Sequence, residues 1–244
     1  MLKLVKIYGT MVCKGHLIIR SRGIESVDLS TAKIDNKPYI PGSTIKGAMR
    51  HAAYKICKSL GIKTCTSERP CGIEIKTTRI RAYKSLEENM LLRLGYCPIC
   101  IVFGSPGLAS RVIVNDAYPK GEVNTKVRRF LAINESTGSA SPGMLFTAEL
   151  VTPGSRFEFE ITAINLSEPF LGLIFSSLSL IEDLGLGGMK TYGFGKMWIN
   201  IERIHIRDAT YYITGKEKIL REESLVKFIE ESKRACMLLK EKYY

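Results

Sequence analysis

The sequence predicts an α+β domain with a β-α-β-β-α-β core of the ferredoxin-like type, in which two helices pack on one face of a four-stranded antiparallel sheet. Three observations lead to this prediction. Apolar residues repeat at spacings of three and four from Ile45 to Leu60, which is typical of a helix with one buried face. Residues Phe157 to Ala163 alternate strictly between apolar and polar, which is typical of a strand. Pro169 opens a second apolar helical pattern, which Gly185 is expected to close.

The other elements follow from shorter patterns. An apolar, β-branched segment at residues 2–19 predicts the first strand, residues 111–117 predict a short strand, and residues 197–206 predict the last. Gly61 is expected to cap the first helix. An amphipathic pattern at residues 224–242 predicts a C-terminal helix.

We therefore predict one domain over residues 1–206 and a C-terminal helical extension over residues 207–244. Two inserts interrupt the core pattern. Residues 62–106 combine cysteines and basic residues with a short helical piece, and we predict that they form a lid. Residues 118–150 are polar and basic, and we predict that they form a β-hairpin arm. A chain of 244 residues with 45% hydrophobic composition is long enough to bury such a core.

The composition indicates a basic, cytoplasmic protein. Lys and Arg outnumber Asp and Glu by 36 to 24, which gives a formal net charge of +12. Such a charge favours nucleic acid as a partner, because phosphates that are neutralised release their counterions. The alternative is charge that serves only solubility. The apolar runs are too short to cross a membrane, and the first residues lack a signal-peptide pattern, so we expect no membrane partner.

The first motif, Pro41-Gly-Ser-Thr-Ile-Lys-Gly47, places small residues and free backbone N–H groups at a helix N-terminus. That end of a helix carries unsatisfied donors and the positive end of the dipole, so it can hold a phosphate. Lys46 and Arg50 lie one turn apart and could follow the next phosphates. The alternative is an ordinary Ser-capped helix with a solvated basic face.

The second motif is the glycine-rich segment from Gly185 to Lys196. Its glycines let backbone amides approach a phosphate, its lysines supply charge, and its aromatic residues could stack on bases. It is not a Walker loop, because it has no Gly-Lys-Ser/Thr at the required spacing. The alternative is a long turn that needs positive φ. Two basic, glycine-rich segments that each adjoin a helix favour an anionic polymer over a nucleotide.

Five of the seven cysteines fall in one stretch, and a disulfide framework is not expected inside the cell. Cys97-Pro-Ile-Cys100 is a two-residue knuckle, with Cys65 and Cys71 upstream in the same insert. Four thiolates in an insert too small to fold alone predict a structural Zn²⁺ site. Because the step from Cys65 to Cys71 is long, Cys57 or His51 could replace one ligand. The alternative is a set of unliganded buried thiols.

The two motifs and their order resemble the RAMP (repeat-associated mysterious protein) superfamily. Residues 41–50 and the segment Gly187-Gly188 to Gly193-Phe-Gly195-Lys196 carry this resemblance. It is strongest for the backbone subunits of type III (Csm/Cmr-type) CRISPR effector complexes. The stretch from Val127 to Glu149 resembles the hairpin arm of those subunits, and the resemblance spans residues 1–206. The RNA-recognition (RRM-like) modules share this core arrangement.

The resemblance implies an RNA-binding subunit that stacks with related CRISPR subunits as a hetero-oligomeric helical filament on guide RNA. The arm of such a subunit presses between bases of the duplex of guide RNA and target RNA. The residues expected to contact RNA are His16, Gly42, Ser43, Thr44, Lys46, Arg50, Arg128, Arg129, Gly187, Gly188, Lys190, Tyr192, Gly193 and Lys196.

The resemblance also implies a catalytic carboxylate in the loop before the first helix. Asp28 matches its position better than Asp35, and it would support cleavage of target RNA with Mg²⁺ or Mn²⁺. A loop Asp that only caps a turn is the alternative. Two other functions stay open: a purely structural RNA-binding subunit, and a metal-independent endoribonuclease that processes guide RNA through His51.

Overall fold

The computed structural model describes residues 2–21, 27–66, 68–72, 87–133, 136 and 138–241. It is a mixed fold of helices and antiparallel strands. The strands are β1 (Lys3–Cys13), β2 (Arg20–Ser21), β3 (Ser30–Thr31), β4 (Lys33–Ile34), β5 (Lys37–Pro38), β6 (Val112–Val114), β7 (Tyr118–Pro119), β8 (Thr125–Ile133), β9 (Ala140–Val151), β10 (Arg156–Ile164), β11 (Met197–Asp208) and β12 (Lys218–Leu220). The helices are α1 (Gly42–Ser59), α2 (Glu88–Arg93), α3 (Pro98–Phe103), α4 (Glu168–Leu184), α5 (Tyr211–Thr214), α6 (Glu222–Ala235) and α7 (Leu238–Glu241).

The main sheet is antiparallel and has β1 at its centre. Its strand order is β12-β11-β1-β10-β6, and β7 extends the β6 edge by pairing with β10. Val5 of β1 lies between Ala163 of β10 and Ile206 of β11, so the register brings apolar positions together. Alternate residues such as Val5 and Ile7 are fully buried, which is the pattern of a sheet with one covered face.

The first helix follows its prediction closely. Its apolar stripe, which includes Ile45, Met49 and Ala53, is buried, and α1 packs on α4. Gly61 ends the helix at φ +75°, with its amide donating to the Lys58 carbonyl and the next amide donating to that of Cys57. This pair of bonds is the Schellman motif, which satisfies the last carbonyls of a helix.

The predicted first strand is too long. β1 ends at Cys13, opposite Met197 at the start of β11. The chain then turns, and residues 14–20 bond to other segments. The Lys14 amide donates to the carbonyl of Lys196, and Leu17 forms a bridge with Val151 of the hairpin.

The insert and the C-terminal extension both contribute to the core. Every residue of α3 from Pro98 to Phe103 is buried, and the predicted helical piece is α2. Residues 73–86 lie outside the described part of the chain, and the lid stays a prediction. The C-terminal helix is interrupted after Ala235, and α6 packs on α4, where Gly172 faces the Ser232 carbonyl.

Strands β8 and β9 form the predicted hairpin, and the loop before α1 runs beside it. Leu29 pairs in parallel with Ala148, and its amide donates to the Thr147 carbonyl. Residues Asp35 and Asn36 join β4 to β5 with φ values of 49° and 61°, which is the conformation of a tight two-residue hairpin turn.

Candidate nucleic-acid interface

The two basic motifs form opposite walls of one groove. A cavity of about 490 Å³ lies between the first turns of α1 and the glycine-rich segment. Its lining comprises Ile19, Arg20, Thr44, Ala48, His51, Ala52, Ile181, Leu184, Gly185, Leu186, Gly187, Gly188 and Lys190. The groove therefore unites segments that lie about 140 residues apart in the sequence.

The start of α1 is already bound to a carboxylate of the protein itself. The Gly42 amide donates a 2.7 Å hydrogen bond to Oδ1 of Asp116, which places an anion at the positive end of the helix. A Cβ at Gly42 would lie 2.2 Å from the Val114 carbonyl oxygen, so the glycine allows close approach of α1 to this strand. Ser43 is exposed and Thr44 is half-buried at the groove. Asp116 is not among the residues that the sequence predicts for this site, because its partner Gly42 lies 74 residues away.

The glycines of the second motif pack the loop against residues 16–20. Gly187 has φ +86°, and a Cβ there would lie 2.4 Å from the Ile18 carbonyl oxygen. The same carbonyl accepts the Gly188 amide at 3.0 Å, so that amide is engaged within the protein. Gly193 has φ +82° with open space around it, which indicates a turn requirement alone.

The basic side chains and Tyr192 of this segment lie on the exterior, whereas Leu186 and Phe194 are buried. Lys190 and Lys196 are exposed, and Tyr192 is 62% exposed. The Tyr192 ring meets the Phe130 ring edge-on at 6.0 Å, and Phe130 stacks on Phe146 at 5.0 Å. These aromatic contacts connect the glycine-rich segment to the hairpin and leave a Tyr192 face available for stacking.

Two arginines of the hairpin lie on opposite faces, whereas His16 is packed inside. Arg128 is opposite Ala148 and Arg129 is opposite Thr147, so consecutive side chains project to the two sides of the ribbon. Both arginines are exposed. The His16 ring is half-buried at 5.9 Å from the Phe194 ring, with Nδ1 3.4 Å from the Val151 carbonyl oxygen.

Asp28 is exposed and bound to the hairpin. Its Oδ2 accepts hydrogen bonds from the Thr147 amide at 2.6 Å and from the Thr147 hydroxyl at 2.8 Å. These two bonds lower the pKa of the Asp28 carboxyl, because they favour its charged form. Both use the same oxygen. Thr147, which binds Asp28, lies opposite Arg129 on the neighbouring strand of the hairpin. Asp35 lies in the tight turn between β4 and β5.

The two basic residues of α1 that were expected to contact phosphates, Lys46 and Arg50, lie in different surroundings. Lys46 is half-buried, and burial followed by the charge of Arg50 lowers the pKa of its amine. The Arg50 guanidinium donates a 2.6 Å bond to the Gly104 carbonyl, and its other terminal nitrogen lies 3.8 Å from Sγ of Cys100. Arg50 is therefore bound to the cysteine-bearing insert.

The four cysteines of the insert form one cluster. The Sγ atoms of Cys65, Cys71, Cys97 and Cys100 all lie within 4.8 Å of one another. The distance from Cys65 to Cys100 is 3.3 Å and that from Cys65 to Cys97 is 3.5 Å. With Zn–S bonds of about 2.3 Å, the sulfurs of a tetrahedral site lie about 3.8 Å apart. The donor set and its spacing fit such an ion, so the cluster could hold a metal such as zinc.

The geometry favours Cys65 over Cys57 and His51 as the fourth ligand. Cys65 belongs to the cluster of close sulfur atoms, whereas neither Cys57 nor His51 is part of it. Hydrogen bonding with Cys100 lowers the pKa of the Cys97 thiol, which favours the thiolate form that a metal binds. Mg²⁺ and Mn²⁺ prefer oxygen ligands, and this cluster is not a site for them.

Comparison with known proteins identifies the family. A sequence profile of the RAMP superfamily matches residues 10–198. The chain belongs to the RAMP superfamily. The RAMP match includes Asp28, both basic motifs, the four cysteines and the hairpin, and it ends near the start of β11.

Two relatives of this chain carry the same name. The chain is 27% identical over 246 residues to the "CRISPR system Cms endoribonuclease Csm3" of Methanothermobacter thermautotrophicus, covering 84% of this chain and 87% of the relative. It is 32% identical over 151 residues to the protein of the same name from Methanocaldococcus jannaschii, covering 56% and 60%. In the described residues of this RAMP chain, no helix is both long and apolar enough to cross a membrane.

Proposed function

We propose that this chain is a guide-RNA-binding backbone subunit of a type III CRISPR effector complex. The observation that carries the proposal is the groove in which both basic motifs meet, in a RAMP chain whose relatives are named Csm3 endoribonucleases. Its partners would be guide RNA, target RNA and related subunits in a hetero-oligomeric helical filament. The strand order β11-β1-β10-β6, with α1 packed on α4, supports the ferredoxin-like core of this proposal.

The RNA contacts fall into two groups. Exposed side chains would meet phosphates and bases, and they are Ser43, Lys190, Tyr192, Lys196, Arg128 and Arg129. Half-buried Thr44 borders the groove, and half-buried Lys46 follows it on α1. Gly187 and Gly188 line the groove, Gly42 allows close packing of α1, and Gly193 has a positive φ. His16 would act by supporting the glycine-rich segment through Phe194.

A salt titration with matched lysine variants tests this proposal. Lys190→Ala and Lys196→Ala should each weaken binding to any single-stranded RNA and reduce the slope of log affinity against log salt by about 0.7, which corresponds to one phosphate. Fluorescence anisotropy with a labelled RNA measures both effects. Lys227→Ala, an exposed lysine of α6 remote from the groove in sequence, is the control and should bind like the wild type. If the double variant Lys190→Ala/Lys196→Ala binds RNA with the wild-type affinity and salt slope, the groove is not the RNA-binding site.

Asp28 would support the metal-dependent cleavage of target RNA. Because Thr147 engages only Oδ2, a divalent ion could approach the other carboxylate oxygen and stabilise the scissile phosphate. The same two bonds favour a second candidate, a structural subunit in which Asp28 anchors the loop. His51 lines the groove, which favours a third candidate function, the metal-independent processing of guide RNA. His51→Ala tests this function, because the variant should no longer process guide RNA in a buffer that contains no metal ions.

The four-cysteine cluster is proposed to hold a structural Zn²⁺. Bound zinc would cross-link the insert. Because four cysteines fill the tetrahedral coordination of the ion, no position would remain for a substrate or a reactive water. Cys65 and Cys71 would connect the segment after α1 to Cys97 at the start of α3 and to Cys100 within it, so the metal would fix the predicted lid to the core.

A further inference from the structure

The Arg50 guanidinium bridges α1 and the four-cysteine cluster. One nitrogen donates to the Gly104 carbonyl at 2.6 Å, and another lies 3.8 Å from Sγ of Cys100. Gly104 is the residue that ends α3, and Cys100 lies within the same helix. A single side chain of α1 therefore contacts both the cysteine-bearing helix and one of its sulfurs.

The charge of a filled cluster would need such a partner. Four thiolates around a divalent cation carry a net charge of about −2. Cys97 and Cys100 are buried, and burial makes an uncompensated charge costly. A guanidinium stays protonated at any ordinary pH, and hydrogen bonds that involve charged groups are stronger than neutral ones.

A neighbouring cavity gives access to the same place. It has a volume of about 360 Å³ and is lined by Gly47, Arg50, His51, Tyr54, Cys65, Thr66 and Ile99. Arg50 thus borders the side from which a chelator could approach Cys65. The contact is suited to holding the metal in place as well as to balancing its thiolates.

We propose that Arg50 is a positioning residue of the metal centre, and that it strengthens metal retention by compensating the charge at Cys100 and by holding α3 against α1. This assigns Arg50 to the insert, in place of the phosphate contact expected from its position on the basic face of α1. The inference rests on the zinc centre proposed above. It gives Arg50 a role that does not require contact with RNA.

Zinc transfer to a colorimetric chelator tests the proposal on the full chain. Arg50→Met removes the charge at similar length, and it should release zinc about tenfold faster than the wild type or more, as is typical when an outer partner of a metal ligand is lost. Arg50→Lys keeps a charge without the forked geometry and should fall between them. Lys55→Met, an exposed lysine later on α1, is the matched control and should release zinc at the wild-type rate.

Thermal unfolding with and without zinc separates this role from a purely structural one. If Arg50 acts through the metal, the loss of stability in Arg50→Met should be larger in the zinc-loaded protein than after zinc removal. Equal loss in both forms, or zinc release at the wild-type rate, would overturn the proposal. A wild-type protein that binds no zinc would instead refute the metal centre itself, and that result is distinct from the others.

Discussion

At the scale of single residues, Asp28 combines an anchoring contact with the chemistry proposed for it. Oδ2 takes two hydrogen bonds from Thr147, so replacement by Ala removes a metal carrier and a loop anchor together. Replacement by Asn is more informative, because the amide oxygen still accepts both bonds while the charge is lost. The two roles of Asp28 can therefore be separated by the choice of substitution.

We expect Asp28→Asn to abolish Mg²⁺- or Mn²⁺-dependent cleavage of target RNA by the assembled complex. Zinc content, thermal stability and RNA affinity should remain near those of the wild type, since the contact with Thr147 is kept. The measurement is single-turnover cleavage of a labelled target RNA, with affinity determined in the same buffer.

Two controls accompany this prediction. Thr147→Val keeps the carboxylate and removes one of its donors, so cleavage should persist with a less firmly held loop. Asp35→Ala should have a small effect, because Asp35 belongs to the turn between β4 and β5. Cleavage at the full rate by Asp28→Asn would favour the structural subunit.

At the scale of secondary-structure elements, the packing of α6 on α4 depends on a glycine. A Cβ at Gly172 would lie 1.9 Å from the Ser232 carbonyl oxygen and 3.0 Å from Cβ of Cys236. The C-terminal extension is therefore packed on the core helix at a separation that only a glycine allows.

Gly172→Ala should destabilise the protein by about 1–3 kcal/mol, because the two helices must move apart or distort. Gly47 provides the matched control. It is also a helical glycine, but it is exposed with open space around it, so Gly47→Ala should stabilise by up to about 1 kcal/mol. Chemical denaturation of both variants measures the difference, and a neutral Gly172→Ala would show that α6 packs more loosely than described.

The comparison of sequence and structure is also clearest at this scale. Helices α1 and α4 and strand β10 are predicted well, because each has a long periodic pattern and both helices have a glycine or proline at an end. The end of β1 is not predicted correctly, because it depends on where the partner strand β11 begins. Local pattern fixes the type of an element, whereas its limits depend on distant partners.

The candidate site shows the same division between local and distant information. The cysteine cluster could be predicted because its spacing reflects the ligand requirements of a metal. The partners of Gly42 and Arg50 could not, because Asp116 and Gly104 are 74 and 54 residues away. In the sequence, Arg50 looks like a member of a basic face, and only the folded chain shows its contact with Cys100.

At the scale of the whole molecule, zinc is expected to hold the insert to the core. Protein purified without an affinity metal should contain about one equivalent of zinc, and Cys97→Ser/Cys100→Ser should lose it. Cys13→Ser removes a buried thiol outside the cluster and should retain the metal. Elemental analysis and limited proteolysis measure content and protection. A metal-free wild type whose insert resists the protease would contradict this prediction.

The central position of β1 has a consequence for how the protein is made. β1 is completed at Cys13, but its neighbours β10 and β11 begin only at Arg156 and Met197. At roughly 5–20 residues per second, a ribosome needs about 10–40 s to pass from β1 to the end of β11. Until β10 has been synthesised, an apolar strand destined for the middle of the sheet has neither neighbour, and its second neighbour, β11, follows later still. One wall of the groove, at residues 185–190, is synthesised late as well. The groove proposed for guide RNA is therefore complete only after residue 190 has been synthesised.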